Sequence, residues 1–248
     1  MKILIVNPNT TQSMTDKIAE AARSVAATDT EILAINPQDG PASVEGYYDE
    51  AFAVPGLLRE IRKGESMGVD GYIVACFDDP GLHAVRSIAT GPAVGICEAA
   101  VYAASMVAGS FTVVTTLRSS VPAIEKVVRG YGRDHFCRRV RAAEISVLDL
   151  EKEGSEARLL IEAEIERAVN EDSAEAIILG CAGMADLTRQ LTKKFGLPVI
   201  DGVAAAVKMV EGLITLGLQT SKVGGYVRPP KKSYIGEFVD DEPVSVPS

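Results

Sequence analysis

The sequence is short of the residues that build metal sites and disulfide frameworks. It has no tryptophan, two histidines and four cysteines in 248 residues. Two histidines are too few for a His-rich zinc site. The cysteines show neither a CxxC spacing nor a cluster with histidine, and we interpret them as thiols of a reducing compartment. We therefore expect no metal and no structural disulfide.

Signatures of nucleotide cofactors and of serine hydrolases are absent or misplaced. No P-loop occurs, and the first apolar run leads into Asn7-Pro8-Asn9-Thr10 rather than into a G-x-G-x-x-G loop. Residues 64–68 match G-x-S-x-G, but a helical pattern precedes them and a strand pattern follows, the reverse of a nucleophile elbow. We expect no organic cofactor and no serine-hydrolase chemistry.

Clustered positive charge and long apolar runs are also missing. The formal net charge is −9 and the pI is near 4.9, which disfavours nucleic acid as a partner because phosphate neutralisation needs grouped Lys and Arg. No apolar run approaches the roughly 20 residues that span a bilayer. The opening segment MKILIVNPNTT is too brief and too β-like for a signal peptide. We expect a cytoplasmic protein with no membrane partner.

What the chain does contain is an alternation of short β-branched runs with longer amphipathic stretches. This pattern is typical of βαβ units and predicts an α/β fold with mostly parallel sheets flanked by helices. One strand is predicted over 141–147. One helix is predicted to begin at Asp79-Pro80. Strands are predicted over 3–6, 31–35, 71–75, 93–96, 111–115, 141–147, 176–179 and 198–200.

The two halves of the chain resemble copies of one another. GYIVA precedes Cys76 and AIILG precedes Cys181, while PAVGI at 92–96 corresponds to PVIDG at 198–202. The duplication predicts two pseudo-symmetric lobes with an active site between them. We expect residues 1–97 plus 203–225 in the first lobe and 98–202 in the second. Residues 226–248 lack periodicity, which predicts an extended or disordered tail.

Cys76 and Cys181 fall at matched strand ends, where ligands bind in open α/β sheets. A thiol at the start of a helix feels partial positive charge, which lowers its pKa toward neutrality. Two such thiols facing one pocket could remove a proton from a carbon acid and return one from the opposite side. Backbone N–H groups and Thr or Asn side chains would stabilise the enolate oxygen. For Cys97 and Cys137 we expect ordinary core packing.

Several motifs together resemble the hydantoin and allantoin racemases of the aspartate/glutamate racemase superfamily, over the chain to about residue 217. They are NPNTTQSMT at 7–15, GPASVEGYYDEA at 40–51, ACFDDPGL at 75–82, VVTT at 113–116 and GCAGM at 180–184. The resemblance implies a cofactor-independent racemase with Cys76 and Cys181 as its two bases. It also implies that the substrate ring is held by Asn9, Ser43, Val44, Phe77, Thr116, Ala182 and Gly183.

A departure from the amino-acid racemases bears on the substrate. Those enzymes have patterns resembling C-N-T at the first cysteine and C-T-E at the second. In this chain Phe77-Asp78 follows the first cysteine and Ala182-Gly183 follows the second. The difference disfavours free aspartate or glutamate and favours a neutral five-membered ring as the small-molecule substrate. We expect inversion of C5 in 5-monosubstituted hydantoins, with allantoin as the alternative. A one-cysteine decarboxylase and a non-catalytic binding protein remain further alternatives, and the resemblance implies a homo-oligomer.

Overall fold

The computed structural model describes residues 1–151 and 156–241 of the 248-residue chain. The strands are β1 (Lys2–Val6), β2 (Glu31–Ile35), β3 (Gly71–Val74), β4 (Ala93–Gly95), β5 (Phe111–Thr115), β6 (Cys137–Ala142), β7 (Ala176–Leu179) and β8 (Val199–Asp201). The α-helices are α1 (Gln12–Val25), α2 (Tyr47–Ser66), α3 (Leu82–Ile88), α4 (Ile96–Val107), α5 (Val121–Gly130), α6 (Ala157–Asp172), α7 (Thr188–Phe195) and α8 (Gly202–Thr215).

The described strands form two four-stranded sheets with equivalent topologies. The first sheet has the order β2-β1-β3-β4 and the second has β6-β5-β7-β8, and every pairing is parallel. Helices flank both sheets. The predicted fold class is therefore confirmed: an α/β protein of two similar lobes.

The central strands read as continuous apolar runs because helices cover both of their faces. In β3 and β7 every residue is buried. The edge strand β6 follows another pattern, with Arg138 and Arg139 exposed and Val140 buried. Its predicted position at 141–147 is wrong, because the charged residues at its start hid an edge strand that begins at Cys137.

Two helices join the lobes by packing across them. Helix α4 follows β4 of the first sheet yet contacts β7 of the second, and α8 follows β8 yet contacts β3 and β4 of the first. The two helices also pack on each other, and one buried cluster continues through both lobes. At their crossing, a Cβ on Gly202 would lie 2.4 Å from the Ile96 carbonyl oxygen, so only glycine permits this approach.

The segment after β3 does not start a helix at Asp79-Pro80 as predicted. Asp79 has φ 44° and Gly81 has φ 68°, so the chain makes a turn and α3 begins at Leu82. The Asp79 carboxylate instead accepts hydrogen bonds from the backbone N–H groups of Cys97 (3.1 Å) and Glu98 (2.8 Å). Asp79 thus caps α4, which begins well after it in the sequence. The predicted role of Asp79 as the cap of a helix that follows it directly is wrong.

The chain after α8 returns along the first lobe. Thr220 donates to the Gly91 carbonyl at 2.7 Å, and Arg228 donates to Thr90 at 2.7 Å. One 3₁₀ turn, Gly224–Tyr226, ends at the first residue of the predicted tail, and a second, Gly236–Asp241, lies within it. Residues 242–248 lie outside the described residues. In the part of the chain that the structure describes, no helix combines the length and apolar content required to cross a membrane.

Candidate active site

The two matched cysteines occupy equivalent positions at the carboxyl ends of central strands. Cys76 follows β3, where the Ala75 N–H donates to the Val6 carbonyl at 2.9 Å. Cys181 follows β7, where the Gly180 N–H donates to the Val114 carbonyl at 2.8 Å. Neither cysteine is part of a disulfide, both are half-buried, and both line one pocket. The duplication in the sequence therefore becomes a pair of sulfurs at a single site.

The pocket between the lobes is small and is lined by both apolar and polar side chains. Its free space is about 30 Å³, which holds no more than a few water molecules. The two cysteines and Gly180 share the lining with residues from both lobes. Apolar side chains come from Met14, Val44, Ala75, Phe77, Val147 and Ala182, and polar ones from Asn9, Asp78, Thr115, Thr116 and Ser120.

Hydrogen bonds fix the orientation of the buried Asn9 amide. Its Oδ1 accepts from the side chain of Asn7 and from the backbone N–H of Thr11, both at 2.9 Å. Its Nδ2 group contacts the Met14 sulfur at 3.6 Å, which is a weak hydrogen bond. Because its acceptor is already used, Asn9 can offer the pocket an N–H donor, the group that stabilises a developing negative charge on oxygen.

Residues 40–46, here called the strap, run across the pocket from one lobe to the other. On the first lobe, the Thr11 hydroxyl donates to the Ala42 carbonyl at 2.6 Å. On the second lobe, the Glu45 carboxylate accepts from the Val147 backbone N–H at 3.0 Å. Between these attachments, Val44 is buried against the pocket. The strap therefore contributes Val44 to the pocket that the two thiols share.

The surroundings of Cys76 oppose its ionisation. Burial raises the pKa of the Cys76 thiol well above its ordinary value, and the negative charges of Asp78, Cys181 and Asp79 raise it further. A hydrogen bond from the Asp78 backbone N–H acts in the opposite direction. The expected lowering of the pKa toward neutrality is therefore wrong for Cys76, because desolvation outweighs the polar N–H groups that follow the strand.

Most of the residues that the sequence assigned to substrate binding lie at the pocket. Five of them line it: Asn9, Val44, Phe77, Thr116 and Ala182. Ser43 is half-buried in the strap but is not among the lining residues. Gly183 lies in the 3₁₀ helix Ala182–Leu187 that follows Cys181. Of the other two cysteines, Cys97 is fully buried and Cys137 is half-buried at the start of β6.

Sequence reasoning missed several lining residues. Met14 enters from the first turn of α1, and Val147 enters from the start of the 3₁₀ helix Val147–Glu151 that follows β6. Thr115 ends β5, and its hydroxyl donates to the Gly180 carbonyl at 3.1 Å, which ties this strand end to the Cys181 loop. The position of Thr115 at a strand end was a usable signal. Met14 and Val147 carried none, because each resembles ordinary core.

The described residues do not suggest a metal centre. Over 1–151 and 156–241, no group of three His, Cys, Asp or Glu side chains is arranged to hold an ion. The chemical groups gathered at the pocket are instead thiols, an amide, hydroxyls and a carboxyl. Such groups transfer protons and bind polar rings.

The fold and site define a class of enzyme with two similar α/β lobes and a thiol from each at a shared pocket. Comparisons with known proteins agree with this class. Residues 3–210 match the family described as Asp/Glu/Hydantoin racemase. A hydantoin racemase from Rhizobium meliloti is 53% identical over 96% of this chain and 99% of the relative. One from Pseudomonas sp. (strain NS671) is 48% identical over 95% of each.

A solved structure extends the likeness to three dimensions. The allantoin racemase from Klebsiella pneumoniae has a TM-score of 0.96 and 46% identity, covering 98% of this chain and 100% of that one. The chain belongs to the Asp/Glu/Hydantoin racemase family. It is accordingly an isomerase of the racemase class that acts on a small molecule.

Proposed function

We propose that this protein inverts C5 of 5-monosubstituted hydantoins by proton transfer between Cys76 and Cys181, without a cofactor. The observation that carries the proposal is the convergence of both thiols on one pocket from the matched ends of β3 and β7. Two relatives named hydantoin racemase, similar over nearly their whole length, support the substrate class.

In the proposed reaction, the thiolate of one cysteine takes the proton from C5. The C5–H bond breaks, an S–H bond forms, and the electron pair moves through C5–C4 onto the C4 carbonyl oxygen. The thiol of the other cysteine then gives its proton to the opposite face of C5, so its S–H bond breaks and a new C5–H bond forms. The configuration at C5 is now inverted, and the two sulfurs have exchanged protonation states.

The enolate oxygen formed in this reaction needs hydrogen-bond donors close to it. The Asn9 amide and the Thr116 and Ser120 hydroxyls are the donors that the pocket provides from the two lobes. All three residues are buried, and in a site with little water such bonds are stronger than in solution. We assign the oxyanion-binding role to this group, with Asn9 as its best-oriented member.

The choice between hydantoins and allantoin depends on the wall that meets the C5 substituent. Met14, Val44, Phe77 and Val147 give the pocket an apolar wall drawn from both lobes. An alkyl or aryl substituent gains free energy from such a wall, whereas the ureido group of allantoin would lose hydrogen bonds with water. We therefore favour hydantoins. Allantoin is the second candidate because the similar Klebsiella pneumoniae structure is an allantoin racemase.

Proton NMR in deuterium oxide tests this proposal, using each enantiomer of benzylhydantoin and of allantoin. We expect the wild type to exchange and invert the ring-carbon proton, with benzylhydantoin faster. Cys76→Ser and Cys181→Ser should each abolish inversion, while each retains exchange of one enantiomer at most. Absence of exchange with every ring would overturn the racemase proposal in favour of a binding protein. Activity that survives loss of one thiol would instead favour one-cysteine chemistry.

We also infer that the enzyme is a homo-oligomer that works in the cytoplasm. Exposed apolar side chains at Met106, Val107, Leu216, Leu218 and Val223 are candidates for contacts between copies. Four cysteines that form no disulfide fit a reducing compartment. Light scattering coupled to gel filtration should give a mass above that of one 26.2 kDa chain.

For the lobes themselves, we propose the boundaries expected from the duplication, 1–97 with 203–225 and 98–202. Packing of α8 on the first sheet supports assigning it to that lobe. Hydrogen exchange should then show the amides of α8 opening together with those of β3 and β4, rather than with β7 and β8.

A further inference from the structure

The pocket contains a carboxyl group that the two-thiol reaction does not use. Asp78 is 7% exposed and lines the pocket beside both cysteines. If Asp78 were ionised, its charge would oppose both the Cys76 thiolate and the enolate that forms during the reaction. The position of Asp78 therefore requires an explanation in terms of its protonation state.

The partner of Asp78 is a second carboxyl group, Glu50 of α2. The two side chains are hydrogen-bonded to each other, and two carboxyls can share a hydrogen bond only when one of them holds a proton. The Oε1 atom of Glu50 is buried and, apart from the neighbouring Asp78 carboxyl, has no hydrogen-bonding group to meet it among the described residues. The pair therefore forms an acid–carboxylate unit at the edge of the pocket.

The charges around the pair place the proton on Asp78. The cation that acts on this pair is Lys126, and it acts on Glu50. Burial, followed by the charges of Glu50 and Asp79, raises the pKa of Asp78 to about 8. The titratable groups that interact with the pair are Glu50, Asp79, Lys126 and the thiols of Cys76 and Cys97.

A neutral Asp78 has distinct hydrogen-bonding capacities on its two oxygens. Its O–H donates to Glu50, which leaves its carbonyl oxygen as an uncharged acceptor for the pocket. A five-membered imide or ureide ring carries N–H donors that need such an acceptor when they leave water. An uncharged acceptor meets that need without adding a negative charge beside the reacting carbon.

We propose that Asp78, held neutral by Glu50, is a substrate-binding residue that accepts a hydrogen bond from a ring N–H of a cyclic imide or ureide. Glu50 is the positioning residue that keeps the proton on Asp78. This inference rests on the proposed racemase function of the same pocket. It also gives a physical reason for a preference for neutral rings, since the shared negative charge lies behind Asp78 and disfavours a substrate carboxylate.

Asparagine separates this role from that of an ionised aspartate. In Asp78→Asn the amide nitrogen can donate to Glu50 and the amide oxygen can accept from the ring, as the neutral acid does. We expect Asp78→Asn to keep kcat/KM within about threefold of wild type at pH 7, whereas Asp78→Ala should lower it by about 10- to 100-fold because a ring N–H loses its partner. Asp16→Asn, an exposed change on α1, is the matched control.

The pH profile provides the readout that a purely structural role would not change. Wild-type kcat/KM should fall above about pH 8, as Asp78 loses its proton, and Asp78→Asn should lack this fall. Glu50→Gln removes the charge that helps to keep Asp78 protonated, so the fall should move to lower pH. In Asp78→Asn/Glu50→Gln the fall should again be absent. Equal thermal unfolding of the four proteins would exclude misfolding.

Infrared spectra of the wild type and Asp78→Asn give a measurement that does not depend on turnover. A protonated carboxyl band that is present near pH 6, lost near pH 10 and absent in Asp78→Asn would support the inference. A wild type that exchanges C5 protons, together with Asp78→Asn as impaired as Asp78→Ala and no such band, would overturn it. A wild type with no exchange would overturn the proposed function, and the infrared band would still decide whether Asp78 is neutral.

Discussion

The half-buried Cys76 lies at the pocket, and its thiol resists ionisation. Desolvation raises its pKa, and so does the charge that Asp78 carries once it has lost its proton. The Asp78 backbone N–H acts in the opposite direction. The reaction proposed here therefore needs the thiolate to form in a pocket that has already lost its water. The same loss of water strengthens the thiolate as a base.

Alkylation of Cys76 should consequently require a higher pH than alkylation of an ordinary cysteine. In Cys181→Ser, the rate of iodoacetamide reaction at Cys76, followed by mass spectrometry, should rise with a midpoint above about 8.5, the value for an unperturbed thiol. Asp78→Asn in the same background should lower that midpoint, because above about pH 8 the Asp78 carboxyl is ionised and its negative charge opposes the Cys76 thiolate. A midpoint at or below that of a free thiol would contradict the burial argument.

Asp79, next to the pocket residue Asp78, has a different task. Its carboxylate caps α4 and accepts a hydrogen bond from the Tyr131 hydroxyl at 2.7 Å, so it joins the turn after β3 to both lobes. Gly95 faces this carboxylate so closely that a Cβ there would lie 2.1 Å from the Asp79 Cγ. Asp79 thus has an architectural role, separate from the binding role proposed for its neighbour Asp78.

We therefore expect the main effect of replacing Asp79 to be a lower free energy of unfolding rather than a change in the reactivity of the thiols. We expect Asp79→Ala to lower the free energy of unfolding by about 2–3 kcal/mol, from the lost cap and the unpaired Tyr131 hydroxyl. Tyr131→Phe should lose about 1 kcal/mol. Asp79→Asn, which tolerates the left-handed backbone and keeps an acceptor, should fall between these and wild type. Urea titration measures all three; an Asp79→Ala protein as stable as wild type would contradict the capping role.

At the scale of elements, the strap determines access to the pocket. The free space beneath it is small, about 30 Å³, so we expect the strap or a lobe to move when a substituted ring enters. The contact between Glu45 and the Val147 N–H is the described bond that closes the strap onto the second lobe. Its strength sets how readily the pocket opens.

Glu45→Ala should loosen the strap without unfolding the protein. We expect faster hydrogen exchange for the amides of residues 40–46 and a KM raised by up to about tenfold, since one hydrogen bond contributes on the order of 1 kcal/mol to closure. Glu166→Ala, an exposed change on α6, should leave both quantities unchanged. A strap with wild-type exchange rates in Glu45→Ala would show that other contacts hold it closed.

The elements also show where sequence reasoning succeeds and where it fails. Buried central strands were readable because both faces are apolar, and the matched strand ends located Cys76 and Cys181 at one site. The edge strand β6 was misplaced because its exposed residues are charged. Val147 and Val44 meet across the pocket although about 100 residues separate them, and no local pattern encodes such a meeting.

At the scale of the whole molecule, the exchange of α4 and α8 makes the lobes a single cooperative body. Each helix follows a strand of one sheet and packs against the other sheet, so neither lobe has a complete core without the other. The crossing point lies where Gly202 approaches the Ile96 carbonyl. Stability and the relative position of the two thiols therefore depend on the same contact.

Two glycines of α8 offer a matched test of this dependence. Gly202→Ala places a methyl group 2.4 Å from a backbone oxygen, so we expect a loss of at least about 2 kcal/mol in unfolding free energy and reduced activity. Gly212→Ala meets nothing within 4 Å and should gain about 0.5–1 kcal/mol through helix propensity. Thermal and urea unfolding report both; similar effects of the two substitutions would contradict the close-approach argument.

The lobes repeat one another, yet the two cysteines have unequal neighbours. Phe77-Asp78 follows the first cysteine, and Ala182-Gly183 follows the second. Enantiomers have equal free energies in water, so the equilibrium constant between them is unity and kcat/KM must be the same in both directions. The unequal neighbours can change kcat for one enantiomer only if they change its KM by the same factor, so that the two kcat/KM values stay equal. Evolution can therefore tune how tightly each mirror image is held, but it can never make this site prefer to produce one of them.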